Sequence, residues 1–304
     1  MTKHILPAFA AAIAFSLAAS AQAADGAWLR QEIEKAKSGA TVQIPAGVYD
    51  LTDLKLYKSV TLVGAADGRT VLRSASVAEK GILVPLSGTD LKVENITFEG
   101  ARSWDRNGAG IRHEGRNLTI VNCRFVSNED GVLATGDATG TITIRGSSFI
   151  DNGFGDGMSH GIYVLNAIKL DIDRSRFEGT RIGHHVKSLA DETIVRNSVL
   201  DDGYGRGSYA LDASKGGAVT FEGNTVIQAA DAENHTIINY DLTRGGKAIR
   251  LTIAGNKFIN KLDGGTLLRN DTKLAPTFAN NEIVNEGKRP LAAPKAATAT
   301  ALRN

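Results

Sequence analysis

Apolar and polar residues alternate over short stretches of this chain, and the stretches recur. LKVENITFEG (91–100), LTIVNCRFVSN (118–128), ITIRGSSFIDN (142–152), LDIDRSRFEGT (170–180), TIVRNSVLDDG (193–203), VTFEGNTVIQA (219–229), LTIAGNKFINK (251–261) and TFANNEIVNEG (277–287) share one pattern. Period-two alternation predicts a strand with one buried face. An Asn- or Gly-containing turn then leads to an apolar anchor: Phe98, Phe125, Phe149, Phe177, Val199, Val226, Phe258 and Ile283, spaced 22 to 32 residues apart. A second short strand follows each anchor, as in GIRH (110–113), GVLA (131–134), GIYV (161–164), HVKS (185–188) and YALD (209–212). Two or three strands per repeat make a coil, and stacked coils place each strand parallel to the one below, about 4.8 Å away. The anchors then fill the interior of an all-β solenoid, and some nine coils give a rod roughly 40 Å long.

The two ends break the pattern. Residues 28–37 form an amphipathic stretch stopped by Gly39, which predicts a short helix capping the first coil against edge-to-edge association. Ahead of it, Lys3 and His4, an apolar run over 5–19 and Ala21-Gln22-Ala23 read as an export signal over 1–23, cleaved before Ala24. This reading places the protein outside the cytoplasm, secreted or periplasmic, with a coil domain over 24–287. Residues 288–304 carry neither periodicity nor an apolar face and are expected to form a flexible tail.

Composition narrows the partners. With 35 basic against 33 acidic residues and no block of like charge, the chain has no footprint for nucleic acid. No segment after the leader predicts a membrane span, and a monomer is expected. The single cysteine, Cys123, excludes an internal disulfide framework and cysteine-based zinc. Asn95, Asn122, Asn197, Asn224, Asn256 and Asn280 recur at coil corners, where a stacked amide ladder would satisfy backbone groups.

In a stacked coil, side chains that meet are found by column. Turning Ile162, Val186 and Leu211 inward brings Tyr163, Lys187 and Asp212 outward on successive coils. Arg112 then lies two coils below Tyr163, and Tyr240 or Arg269 above Asp212. His160, His184, His185, Arg181, Ser188 and Lys215 flank this stripe. Within Arg181-Ile182-Gly183-His184-His185-Val186-Lys187-Ser188, alternation from a buried Val186 sends His184 inward, as a hydrogen-bonded structural residue, and His185 outward beside Lys187. The plain alternative for Lys187 is a solvated surface lysine. Arg181 and the histidines argue for chemistry instead, because like charge lowers a lysine's pKa toward that of a base. Trp104, in the loop SWDRNG (103–108), is a candidate sugar-stacking platform, with packing over its own loop as the alternative.

Over residues 25–287 the repeats, and especially the entry segment of helix, Gly39, TVQIPAGVYDL (41–51) and VTLVGA (60–65), resemble the right-handed parallel β-helix family. Pectate lyases, pectin-degrading hydrolases, alginate lyases, chondroitinase B and mannuronan epimerases share that fold. The resemblance implies a right-handed single-stranded coil acting on an acidic polysaccharide. The leading expectation is β-elimination at a uronate, with Lys187, His185, Tyr163, His160 and Arg181 as catalytic candidates and Arg112, Ser188, Asp212, Lys215, Tyr240 and Trp104 contacting the polymer. Elimination needs a cation or metal to neutralise the uronate carboxylate, a base for the adjacent proton and an acid for the departing oxygen.

Lys187-Ser188 resembles the Lys-Ser pair of alginate lyases and chondroitinase B, whose lysine is the base. Those enzymes carry an arginine and His-Gly on the next coil, where this chain has Ala210-Leu211-Asp212-Ala213, so Tyr163 or His160 is left for the acid role. Their calcium or neutralising motif has no clear counterpart, and Asp156 in Gly155-Asp156-Gly157 stands as either a calcium candidate or a turn residue, leaving the cofactor open. Three other readings share the scaffold. They are a uronate C5-epimerase, a non-catalytic carbohydrate-binding or envelope-assembly protein, and a glycoside hydrolase using Asn128-Glu129-Asp130-Gly131 and Ser159-His160-Gly161-Ile162.

Overall fold

A computed structural model of the protein describes residues 23, 24 and 26–295; the export segment up to residue 22 and the end of the tail, 296–304, lie outside the described residues. Among the described residues, one helix and thirty strands are arranged as a right-handed parallel solenoid of about nine turns. The strands fall into sheets of 11, 10 and 9. One coil shows the scheme. Leu118–Val121 lies in the ten-stranded sheet, Arg124–Val126 in the eleven-stranded sheet and Asp130–Ala134 in the nine-stranded sheet, each pairing in parallel with its equivalents one coil below and above.

The interior is built from the anchors. Phe98, Phe125, Phe149 and Phe177 are fully buried and stack face to face, with centroids 4.8, 4.7 and 4.7 Å apart. That is the inter-strand spacing, so the parallel register itself sets the stacking distance. The next anchor is a correction to the sequence reading. Phe177 pairs with Leu200, which is buried, while Val199 pairs with Arg176 and is only half-buried. Val199 and Leu200 are both apolar, so composition alone does not decide which faces in.

The corner entering the eleven-stranded sheet carries a polar ladder. The backbone N–H of Cys123 donates to Ser147 Oγ, and the same bond passes upward from Ser147 to Ser175, Ser198, Asn224, Asn256 and Asn281, at 2.9–3.3 Å. Of the six asparagines expected to stack, Asn224 and Asn256 do. Asn95, Asn122, Asn197 and Asn280 instead hold left-handed backbone (φ 57, 50, 50 and 53°) at the turn itself. A second ladder, Asn128 to Asn152, lines the corner leaving the same sheet.

The helix Gly26–Lys35 covers the first coil with Leu29 and Ile33. At the far end the chain past residue 287 returns to the last coil: Leu291 is buried, and Ala292 exchanges backbone hydrogen bonds with Gly265 and Leu267. No helix among the described residues is long and apolar enough to cross a membrane.

Candidate active site

The outward face of the nine-stranded sheet holds the site. Strand register aligns Arg112, Leu133, Tyr163, Lys187, Asp212, Asn239 and Arg269 in one column, one residue per coil. The expected sequence of Tyr163, Lys187 and Asp212, with Arg112 two coils below, is therefore the observed one. Lys187 Nζ lies 4.6 Å from the centroid of the Tyr163 ring. Asp212 Oδ1 accepts from Asn239 Nδ2 at 2.8 Å.

A second column, three residues ahead of the first, runs through Ala109 and Asp130 at the starts of their strands and His160, His184 and Tyr209 just before theirs. The glycine beside Asp130 has a steric cause. A Cβ on Gly131 would stand 2.5 Å from the Gly161 carbonyl oxygen and 2.7 Å from the Phe149 ring, so only glycine lets the next coil and the phenylalanine column approach this closely beside Asp130. Asp130 is fully buried and its Oδ1 accepts from the His160 N–H at 2.7 Å. His160 and His184 stack at 4.6 Å, and His160 meets Tyr163 edge-on at 5.2 Å.

Backbone amides fix the tautomers of both rings. His184 N–H donates to His160 Nδ1 at 3.1 Å and Tyr209 N–H donates to His184 Nδ1 at 3.3 Å. An amide is only a donor, so both Nδ1 atoms are acceptors and the proton of each neutral ring sits on Nε2. Burial keeps them neutral, holding His160 well below the usual imidazole range and His184 at about 3. The His184 Nε2–H faces Asp212 Oδ2 at 3.7 Å.

Burial also acts on the acids and bases around them. It raises the Asp130 carboxyl well above the usual range, and raises Asp212 and the Tyr163 phenol. It lowers the Lys187 amine, with Arg244 adding to the shift while Asp212 and Asp130 oppose it. Arg112 Nε, Asp130 Oδ2, His160 Nε2 and Asn239 Oδ1 are buried without a hydrogen-bond partner in the protein. Such atoms cost stability, and four of them gather around this one patch.

Several expected site residues lie elsewhere. His185 and His184 exchange roles. The strand begins at Val186, and the corner before it breaks the alternation, so His185 turns inward, 1 % exposed, with Nδ1 2.9 Å from Thr180 Oγ1 and Nε2 3.1 Å from Asp202 Oδ1. Tyr240 is fully buried, donating its hydroxyl to the Gly217 carbonyl at 2.8 Å; Asn239 takes the outward place. Ser188 is buried against Thr193. Lys215 pairs with Asp191 on the opposite corner, and Arg181 lies exposed near Arg102, away from Lys187. Trp104 does not pack over its loop, being 87 % exposed, and Asp156 pairs with Arg106 at 3.4 Å. Among the described residues, no group of three or more His, Cys, Asp or Glu side chains is placed to hold a metal ion. Two residues of the patch, Asn239 and Arg244, escaped the sequence reading altogether; His184 entered it as an inward structural residue flanking the stripe, and Asp130 only within the hydrolase alternative. Asn239 was within reach of the column alignment, which puts it in register with Asp212, whereas Asp130 and His184 stand three residues ahead of the column positions Leu133 and Lys187. Arg244 belongs to the loop after Thr236–Tyr240, outside the repeat.

The inward place of His185 gives a test of its own. Replacing it by alanine should leave Asp202 and Thr180 buried without their shared partner and lower stability by about 1–3 kcal/mol in thermal unfolding. Any activity per folded molecule should be unchanged. A variant of wild-type stability that has lost turnover would return His185 to the chemistry.

The family described as right handed beta helix region matches residues 80–241, more than half of the chain. The chain belongs to this β-helix family. A curated relative, a 3-phosphoshikimate 1-carboxyvinyltransferase from Acetivibrio thermocellus, is 25 % identical over 191 residues. The match covers 60 % of the β-helix chain and only 43 % of that relative. Among solved structures, an alginate lyase from Paenibacillus sp. str. FPU-7 superposes with a TM-score of 0.64 at 14 % identity, over 90 % of this chain and 98 % of its own. The PL6 family alginate lyase AlyGC gives 0.54 at 15 % identity, over 90 % of this chain and 39 % of its own. At these identities the likeness is one of fold.

Proposed function

We propose that this β-helix protein is a polysaccharide lyase that cleaves a uronate-containing polymer by β-elimination on the outward face of its nine-stranded sheet. The observation that carries the reading is Lys187 packed against Tyr163, with burial pushing the two in opposite directions. A lysine lowered toward neutrality is suited to take the proton beside the carboxylate, and a phenol raised above its ordinary value keeps the proton it must give to the departing oxygen. Arg112 and Arg244 bring positive charge to the same patch, where a uronate carboxylate and its enolate-like transition state need it. The neutral Nε2–H groups of His160 and His184 are donors that add no charge. The fold shared with alginate lyases supports the substrate class, and the export signal read in residues 1–23 suits a polymer outside the cytoplasm.

The test is the ultraviolet absorbance of the unsaturated sugar, followed as initial rate against pH with the purified chain. The active form has Lys187 free of its proton and Tyr163 holding one. The rate should therefore rise through a Lys187 value below the ordinary 10.5 and fall through a Tyr163 value above the ordinary 10.0. His160 and His184 should add no inflection near 6.5, the ordinary imidazole value, since both stay neutral far below it. A rate that declines across neutral pH, or a turned-over polymer without the chromophore, would rule this chemistry out.

A further inference from the structure

The packing of Lys187 on Tyr163 restricts which uronates the site can process. Both side chains project from the same face of one sheet on neighbouring coils, paired directly in register. With Nζ 4.6 Å from the ring centroid, the amine and the phenol ring are in contact. A sugar ring held between a base and an acid on opposite sides would need them separated by two layers of van der Waals contact, about 7–8 Å. The two groups therefore reach the substrate from one side. The cation that acts on both from the loop above the sheet is Arg244, and a guanidinium there neutralises a carboxylate rather than accepting a proton.

We propose that the protein catalyses syn elimination, and so takes D-mannuronate or D-glucuronate units, whose C5 hydrogen and C4–O bond lie on the same face of the ring. L-Guluronate, L-iduronate and D-galacturonate place the two on opposite faces and are disfavoured. This rests on the lyase reading above and adds the stereochemistry of its substrate. Lys187 as free amine removes the C5 hydrogen as a proton. The electron pair left at C5 forms the C4–C5 double bond as the C4–O bond breaks with its own pair, and the departing oxygen takes the proton of the Tyr163 hydroxyl. The Lys187 ammonium then returns its proton to the phenolate it packs against, so both groups are reset without a co-reactant.

The experiment gives the purified chain five polymers: polymannuronate, polyguluronate, a glucuronate polymer, an iduronate-rich polymer and polygalacturonate. Initial rates of unsaturated product are compared. Mannuronate and guluronate differ only at C5, as do glucuronate and iduronate, so each pair isolates the ring face. The expected result is a rate on polymannuronate or the glucuronate polymer at least about tenfold above that on its C5 epimer. Equal rates on both epimers, or faster release from guluronate, iduronate or galacturonate, would overturn the syn assignment while leaving the lyase reading in place. No unsaturated product from any of the five would overturn the lyase reading itself, and the stereochemical inference with it.

Discussion

Replacing Lys187 by alanine should lower the rate of unsaturated-product formation by a factor of about 10²–10⁴, the usual contribution of a positioned general base. The informative companion is Lys187→Arg. A guanidinium restores positive charge and most of the side-chain length but does not accept a proton at working pH. If Lys187 is the base, both variants should be equally inactive; recovery in the arginine variant would make the residue a carboxylate neutraliser instead. Neither change should unfold the protein, because the side chain points out of the sheet; alanine removes its contact with the Tyr163 ring and the cation facing Asp130 and Asp212, while arginine keeps the charge. Thermal unfolding within a few degrees of wild type would confirm that turnover, not folding, was affected. Tyr163→Phe, which keeps that contact but removes the acidic proton, separates the acid from the base.

The largest effect on stability is expected at Phe149, where alanine should cost about 3–5 kcal/mol. The ring has no solvent exposure and is stacked between Phe125 and Phe177 at 4.7 Å on each side. Parallel strands fix those neighbours by backbone pairing, so the coils cannot close over the void without breaking register with the coils beyond. Phe149→Leu should cost much less, since the column already passes from Phe177 to Leu200. The midpoint of thermal or denaturant unfolding distinguishes the two; an alanine variant of wild-type midpoint would show that the ring stack does not hold the coils together.

The sequence carried the fold because the repeat is redundant. Eight copies of one alternating pattern leave little freedom, and large rings such as Phe98 and Phe125 cannot face outward at that cost in exposed apolar surface. Among the anchors the register slipped by one residue only at Val199 and Leu200, where two apolar neighbours compete for one inward place. The site was legible where it sits inside strands. Tyr163, Lys187 and Asp212 follow from period two once Ile162, Val186 and Leu211 face in. It was misread at the corners. His184 and His185 lie before the first paired residue, and there the turn, not the pleat, sets direction. Tyr240 shows the same limit from the other side: TIINY offers two adjacent isoleucines as inward residues, and only the pairing of Ile238 with Leu211 decides that Asn239 faces out. Arg244 carries no periodic signal at all.

The column of outward residues has an evolutionary corollary. Each coil contributes one interchangeable position to a lattice whose spacing is set by main-chain bonds, so the working surface resembles a pegboard. Asp212 can be exchanged for a different functional group without moving Lys187 beneath it, because neither side chain participates in the ladder that fixes their separation. New reactivity on this scaffold then requires single exchanges at set intervals along the chain, and the architecture underneath need not be reinvented for any of them.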